Sequence, residues 1–433
     1  MMKSVWKDSC DLPNFEPLRS DIKTDVLIIG GGIAGILTAY FLHQYGIKYI
    51  LVEKDKICSH TTQNTTAKIT YQHGLIYHKI EKSYNLNIAK GYLIANKIAL
   101  EEYHKLCKNI DCDYEIKDNF VYSTNNRKIL EDEMNTLEKI GYNAEFCENI
   151  NLPINTVGAV RFKNQAQFNP LKFIASIAKG LNIYENTFVK EMIDTNAITE
   201  NAKINADKVI VATHFPFINK HGSYFIKLYQ HRSYVTALEN ADTIDGMFVD
   251  ENNKGVSFRS YQNLLLLGGG SHRTGKQGGS WKELRSFARV HYPMANEKYH
   301  WSTQDCMSLD EIPYIGQYSK NTPNTFVSSG FNKWGMTGAM VSAMILSDMI
   351  AEKDNKFAKI FNPSRSILKP QLFANAFEST KNLLTISEKR CPHLGCALKW
   401  NYDEHSWDCP CHGSRFSDDG KLLDNPANGD LKL

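Results

Sequence analysis

The chain has 433 residues, 42% hydrophobic and 22% charged, an ordinary globular composition with room for two or three domains. Its 50 Lys and Arg stand against 47 Asp and Glu, and the net charge of +3 gives no electrostatic case for nucleic acid or an acidic membrane. The first ten residues lack the apolar run of a signal peptide. The most apolar stretch, 26–42, is interrupted by Gly30, Gly31, Gly32 and Gly35, so no membrane span is expected and the cytoplasm is the default compartment.

In chain order, Asp25 to Ile29 is a short apolar run suited to a buried parallel strand. Gly30, Gly32 and Gly35 follow at the dinucleotide-fingerprint positions. A helix is expected from Ile36 to Tyr45, then a second strand from Tyr49 that ends in the acid Glu53. Gly30 permits the tight turn, Gly32 lets backbone approach a pyrophosphate, and Gly35 lets helix and strand pack closely. Glu53 is placed to hold ribose hydroxyls. Residues 76–150 carry long helical patterns, with Leu93, Ile98, Leu100 and Leu106 among polar residues, whereas 218–304 is strand-rich. Further buried strands are expected at 205–214, ending in Ala212-Thr213, and at 324–330. The second leads through Gly330 into Gly335-Met336-Thr337-Gly338 and a helix to about Ile350.

On these segments the chain resembles the FAD-dependent oxidoreductases of the D-amino-acid oxidase, glycine oxidase and glycerol-3-phosphate dehydrogenase superfamily. The resemblance implies an α/β fold: a Rossmann-like FAD domain assembled from 21–75, 151–217 and 305–355, and a mixed-sheet substrate domain from 76–150 and 218–304. It implies FAD contacts at Gly30, Gly32, Ile33, Ala34, Gly35, Glu53, Thr65, Thr66, Ala67, Val189, Ala212, Thr213, Gly330, Gly335, Met336 and Thr337. The helix start at Gly335 would lie at the pyrimidine edge, where a helix N-terminus favours the negative charge of reduced flavin. Lys68 is a candidate neighbour of the flavin ring. Candidate pocket residues are His73, Tyr229, His231, Arg232, His272 and Arg273. Of these, His73, His272 and Arg273 stand with Lys68 as catalytic candidates. Arginine suits a carboxylate substrate through its bidentate fork.

Residues 354–370 are polar and carry Pro363 and Pro370, so 356–388 reads as a connector, with a short helix near 371–383. Six of the ten cysteines are scattered (Cys10, Cys58, Cys107, Cys112, Cys147, Cys306) and are expected to be reduced. The other four fall between 391 and 411. Cys391-Pro392-His393-Leu394-Gly395-Cys396 and Cys409-Pro410-Cys411-His412-Gly413-Ser414 each offer a Cys and a His to a metal, plus one spare Cys. The spacings Cys-x-His and Cys-x2-His are unlike those of zinc fingers or ribbons. Both loops resemble the Rieske family closely. That resemblance implies a [2Fe–2S] cluster with Cys391 and Cys409 on one iron and His393 and His412 on the other, and a disulfide between Cys396 and Cys411. It also marks two departures. Phe416 stands where high-potential relatives carry a Tyr, and the lobe, 389–433, is too short for the usual base of strands, so an abbreviated all-β lobe resting on the flavoprotein body is expected.

The expected function is oxidation of a small amine- or alcohol-type substrate at FAD, with electrons passed singly through the cluster to an outside one-electron acceptor, or drawn from a donor. An oxidase with a structural cluster and a redox-sensing protein without turnover are the alternatives.

Overall fold

The computed structural model describes residues 3–252 and 254–432. Its first sheet runs in the order Tyr314–Gln317, Thr325–Ser329, Lys203–Val211, Ile22–Ile29, Tyr49–Val52, Ile183–Tyr184. All neighbours are parallel except the first strand, and the hairpin Glu191–Ile193/Asn196–Ile198 lies against Lys203–Val211. Leu27, Ile28, Leu51, Val209, Ile210 and Val211 are wholly buried, because elements cover both faces and every side chain of such a strand meets apolar neighbours. Helices Ile33–Gln44 and Gly335–Ile350 pack on one another over this sheet. Helix Leu86–Cys107 lies against the second of them, and Tyr103 donates to the Met336 carbonyl at 3.0 Å.

The second sheet runs Asn296–Ser308, Leu228–Glu239, Leu264–Arg273, Ser257–Tyr261, Met247–Asp250, Glu115–Ser123, Gly158–Gln167, Lys68–Ile69, with Glu145–Cys147 beside Gly158–Gln167. Three of its pieces lie outside the ranges expected for the substrate domain. Gly158–Gln167 and Lys68–Ile69 fall in ranges assigned to the FAD domain, and Asn296–Ser308 runs beyond residue 304, yet all pair into this sheet. Ladder partners far away in sequence decide membership of a sheet, and local pattern does not report them.

The connector holds the helix Pro370–Leu384. The C-terminal lobe is a four-stranded antiparallel meander, Lys399–Asn401, Ser406–Asp408, Arg415–Ser417 and Leu422–Asp424. Its buried core is small: Cys391, Cys396, Leu398, Cys409, Cys411, Phe416, Ala427 and Leu431. Among the described residues no helix is long and apolar enough to cross a membrane.

Candidate functional site

A cavity of about 480 Å³ runs from the C-terminal ends of the first sheet's strands to the inner face of the second sheet. Its nucleotide end is built by the first strand–turn–helix. A Cβ on Gly30 would stand 2.6 Å from the Ala212 carbonyl oxygen, and one on Gly35 would stand 1.9 Å from the Gly30 carbonyl oxygen, so neither position admits a side chain. A Cβ on Gly32 would meet nothing closer than Thr62 Oγ1 at 3.5 Å, which leaves an open cradle at the N-terminus of helix Ile33–Gln44. The Glu53 carboxylate accepts from the amides of Gly31 (2.6 Å) and Asp55 (3.1 Å), which pins it at the strand end. These features fit a dinucleotide: space for phosphates at a helix N-terminus, with an acid for ribose.

Of the residues expected around a flavin nucleotide, Gly30, Gly32, Ile33, Ala34, Glu53, Thr65, Thr66, Val189, Ala212, Thr213, Gly335 and Met336 line the cavity. Gly35, Ala67, Gly330 and Thr337 stand behind its wall. Gly35 lies under the Gly30 carbonyl, Ala67 offers its carbonyl to Arg259 at 3.0 Å, Gly330 turns beneath Leu228, and Thr337 donates to Thr70 O at 2.9 Å.

Lys68 and His73 both reach the cavity. Burial, with the charge of Arg259 added, brings the Lys68 ammonium down to about 7. His73 is locked. Its Nδ1 meets Tyr92 Oη at 2.7 Å, its Nε2 meets Thr70 O and Thr337 Oγ1 at 2.8 Å each, and its ring stacks on Trp334. Burial pushes it down to about 3, so it is neutral at physiological pH and orients the start of helix Gly335–Ile350. A second polar group lines the cavity without any signal in the sequence pattern. Lys333 Nζ donates to Ser271 Oγ (3.3 Å), which lies 3.2 Å from Ser233 Oγ, itself 3.4 Å from Asp305 Oδ2, and all four residues line the cavity. Burial lowers Lys333 and raises Asp305 from their usual values. Lys333 stands two residues before the helix start at Gly335. Its left-handed backbone (φ 73°), following that of Asn332 (φ 53°), is a tertiary feature without a sequence signature.

His272 and Arg273 lie outside this cavity, contrary to expectation. His272 Nε2 meets Tyr234 Oη at 2.9 Å. Arg273 donates to the carbonyls of Pro410 (3.2 Å) and Cys411 (3.1 Å) and to Asn375 Oδ1 (2.8 Å), so its fork grips the second cluster loop. Arg232 is likewise spent on Glu404 of the lobe, and His231 does not line the cavity, whereas Tyr229 does.

The two Cys/His loops are built alike. Gly395 N donates to Cys391 O and Gly413 N to Cys409 O, and the loops close with Cys391 N to Cys396 O and Cys409 N to Ser414 O, all at 2.9 Å. Gly395 (φ 76°) and Gly413 (φ 86°) supply the left-handed turn each loop requires. Cys396 and Cys411 are joined as a disulfide. The neighbouring Cys409 thiol, with the amides of His393 and Leu394, holds the Cys391 thiol below its usual value, while Cys391 and burial hold Cys409 well above its own. The imidazoles of His393 and His412 face each other with centroids 4.9 Å apart. His393 Nε2 donates to Asn219 Oδ1 at 3.0 Å, which leaves Nδ1 as a bare lone pair. That atom and both nitrogens of His412 are buried without a protein partner. Two thiols and two imidazoles with unsatisfied nitrogens fit the donor set of a Rieske cluster. These four residues would hold it.

The lobe is fastened to the second sheet. Gln230 Nε2 donates to His412 O (3.0 Å) and Asn425 O (2.9 Å), and Gln304 Nε2 to Gly413 O (2.8 Å). Glu404, its side chain 2% exposed, pairs with Arg232 and Arg415 and accepts from Tyr234 Oη (3.0 Å) and Ser302 Oγ (2.7 Å). Asn425 Nδ2 donates to Thr213 O (2.6 Å) and Phe215 O (2.7 Å), and Leu422, Leu423, Asp424, Asn425, Ala427 and Asn428 supply part of the cavity wall itself. The buried Phe215 ring stands 6.5 Å from His393 and 6.4 Å from His412, two residues beyond the cavity-lining Thr213.

Comparison with known proteins agrees with both halves. Residues 25–349 match the family model described as FAD dependent oxidoreductase, and residues 349–433 the one described as Rieske [2Fe-2S] domain. A Bacillus subtilis (strain 168) protein, YhfW, which bears the name of a Rieske 2Fe-2S iron-sulfur protein, is 33% identical over 99% of this chain and 97% of its own length. A 43-residue stretch is 49% identical to the cytochrome b6-f complex iron-sulfur subunit 2 of Nostoc sp., covering 10% of this chain and 24% of that one. The fold matches glycine oxidase from Geobacillus kaustophilus (TM-score 0.66, 17% identity, 80% of this chain and 99% of that one). It also matches L-proline dehydrogenase from P. horikoshii (TM-score 0.67, 16% identity, 80% and 98%). The cofactors are accordingly FAD and a [2Fe–2S] cluster. The chain belongs to the FAD-dependent oxidoreductase family and carries a C-terminal Rieske domain.

Proposed function

We propose that the protein oxidises a small amine- or alcohol-type substrate in the cavity and sends the electrons singly through the cluster to an external acceptor. When bound, FAD supplies two-electron acceptance and the [2Fe–2S] centre one-electron transfer. The observation that carries this reading is that Leu422, Leu423, Asp424, Asn425, Ala427 and Asn428 of the cluster lobe wall the same cavity as Gly30, Gly32 and Ala34. A cluster kept for structure alone has no need of a shared wall.

The chain's own groups supply binding and proton handling. Lys333, Ser271, Ser233 and Asp305 give a polar substrate both donors and an acceptor on one side of the cavity. Lys68, neutral above about pH 7, holds a lone pair that takes the proton a substrate amine or hydroxyl must lose. His73, fully hydrogen-bonded, holds Trp334 and Thr337 in place.

Anaerobic mixing with a panel of amines, alcohols and hydroxy acids tests the reading. Flavin bleaching followed by the spectrum of a reduced cluster is expected. Turnover with oxygen that survives Cys409→Ser with FAD retained would favour a plain oxidase, and a flavin that no panel member reduces would favour the redox-sensing alternative.

A further inference from the structure

Helix Pro370–Leu384 presents its faces the wrong way round for a globular surface. The side it buries is polar. Asn375, 2% exposed, donates to Ile226 O and accepts from Arg273, and Asn382, 4% exposed, donates to Glu378 O while its carbonyl accepts from Ala397 N. The opposite stripe holds Phe373, Phe377 and Leu384, exposed by 69%, 67% and 78%. Leu368 before the helix and Ile386 after it protrude further, at 76% and 98%. An apolar row of this extent on a folded surface calls for a partner.

The charges beside the row narrow the partner. Between 365 and 400 the acids are Glu378 and Glu388, and Glu378 is paired with Lys276. The cations flank the row: Lys369 ahead of the helix, Lys381 at the stripe's edge, Lys389 and Arg390 behind it. Their contacts are with rings and carbonyls. Lys369 lies over Tyr84 and Lys389 over Trp407, while Arg390 donates to the carbonyls of Leu383, Thr385 and Gly395. The near-neutral total charge of the chain conceals this local excess. A second copy of the chain docked through the same face would set cations against cations.

We propose that this face is a peripheral membrane contact, with Leu368, Phe373, Phe377, Leu384 and Ile386 entering the apolar boundary of a bilayer and Lys369, Lys381, Lys389 and Arg390 meeting anionic headgroups. The contact goes beyond the proposed redox reaction and does not depend on it. Ala397, next to the first cluster loop, donates to the Asn382 carbonyl, which ties that loop, with Leu394 41% exposed, to the helix.

The test uses the full-length holoprotein and vesicles of phosphatidylcholine with phosphatidylglycerol, against phosphatidylcholine alone. Cosedimentation with the anionic vesicles is expected, and it weakens with salt. The pairs Phe373→Ser with Phe377→Ser and Lys381→Glu with Lys389→Glu should each cost about tenfold or more in partitioning, with the flavin and cluster spectra retained as the check on folding. In Phe373→Trp, vesicles should shift the emission of the new side chain to the blue. Absence of binding to anionic vesicles, binding indifferent to both pairs, or no emission shift would overturn the proposal. So would a dimer that these substitutions dissociate while vesicles fail to compete with it, or an acidic soluble protein that binds this face where vesicles do not.

Discussion

Glu404→Gln probes the joint between cluster lobe and flavin body. The carboxylate is buried between two guanidiniums, Arg232 and Arg415, and also accepts from Tyr234 and Ser302. At 4 Å and an effective dielectric constant of 20, each cation attracts it by about 4 kcal/mol, against a desolvation penalty of several kcal/mol per ion. Removing the charge leaves Arg232 buried without its carboxylate, whereas Arg415 keeps Asp408 and Asp424. A loss of about 3–5 kcal/mol is expected, the range for breaking a buried pair from one side. Burial alone would raise the Glu404 carboxyl, but the two arginines overcome it and hold it far below the usual carboxylate range. The pair's contribution is therefore complete above the unfolded-state value of about 4.3 and is lost as pH falls below it. Hydrogen exchange of 391–428 at neutral pH should rise in the variant, and flavin-to-cluster transfer should slow while substrate-driven flavin bleaching persists. The wild-type advantage should shrink below about pH 4. Unchanged exchange at neutral pH, or an advantage that grows on acidification, would refute the docking role.

Anaerobic flavin reduction should accelerate as pH rises through about 7, where Lys68 becomes neutral, and Lys68→Met should remove that inflection while FAD stays bound. A pH profile unaltered by the substitution would exclude Lys68 as the proton acceptor. Phe416 is wholly buried beside Cys391 and Cys409, so the cluster potential should lie below that of the quinol-oxidising class. Redox titration of Phe416→Tyr should show an upward shift, because a hydroxyl there can hydrogen-bond a ligand sulfur, and no shift would count against that account. Arg273→Ala should slow cluster reduction without raising KM, since the guanidinium binds loop carbonyls and not substrate. A raised KM with normal cluster reduction would return Arg273 to the substrate pocket.

The local sequence determined the parts whose physics is local. Gly30, Gly32 and Gly35 between two apolar runs lead to a strand–turn–helix because the backbone at Gly30 and Gly35 admits no side chain, and the structure has it within a few residues of the expected bounds. The Cys-x-His and Cys-x2-His loops carried their donors in the text, since each turn is closed by hydrogen bonds inside six residues. What the folded chain decided was every assignment that depends on a distant partner. Gly158–Gln167 joined the second sheet because Glu115–Ser123 pairs with it. Arg232 and Arg273, suited by type to a substrate carboxylate, were committed to Glu404 and to the loop carbonyls of Pro410 and Cys411, more than a hundred positions away. Lys333 and Asp305 came to face one cavity through elements that share no pattern. An arginine's chemistry can be read from its letter, but whether it meets a ligand or the chain's own carboxylate depends on packing, which periodicity and spacing do not encode.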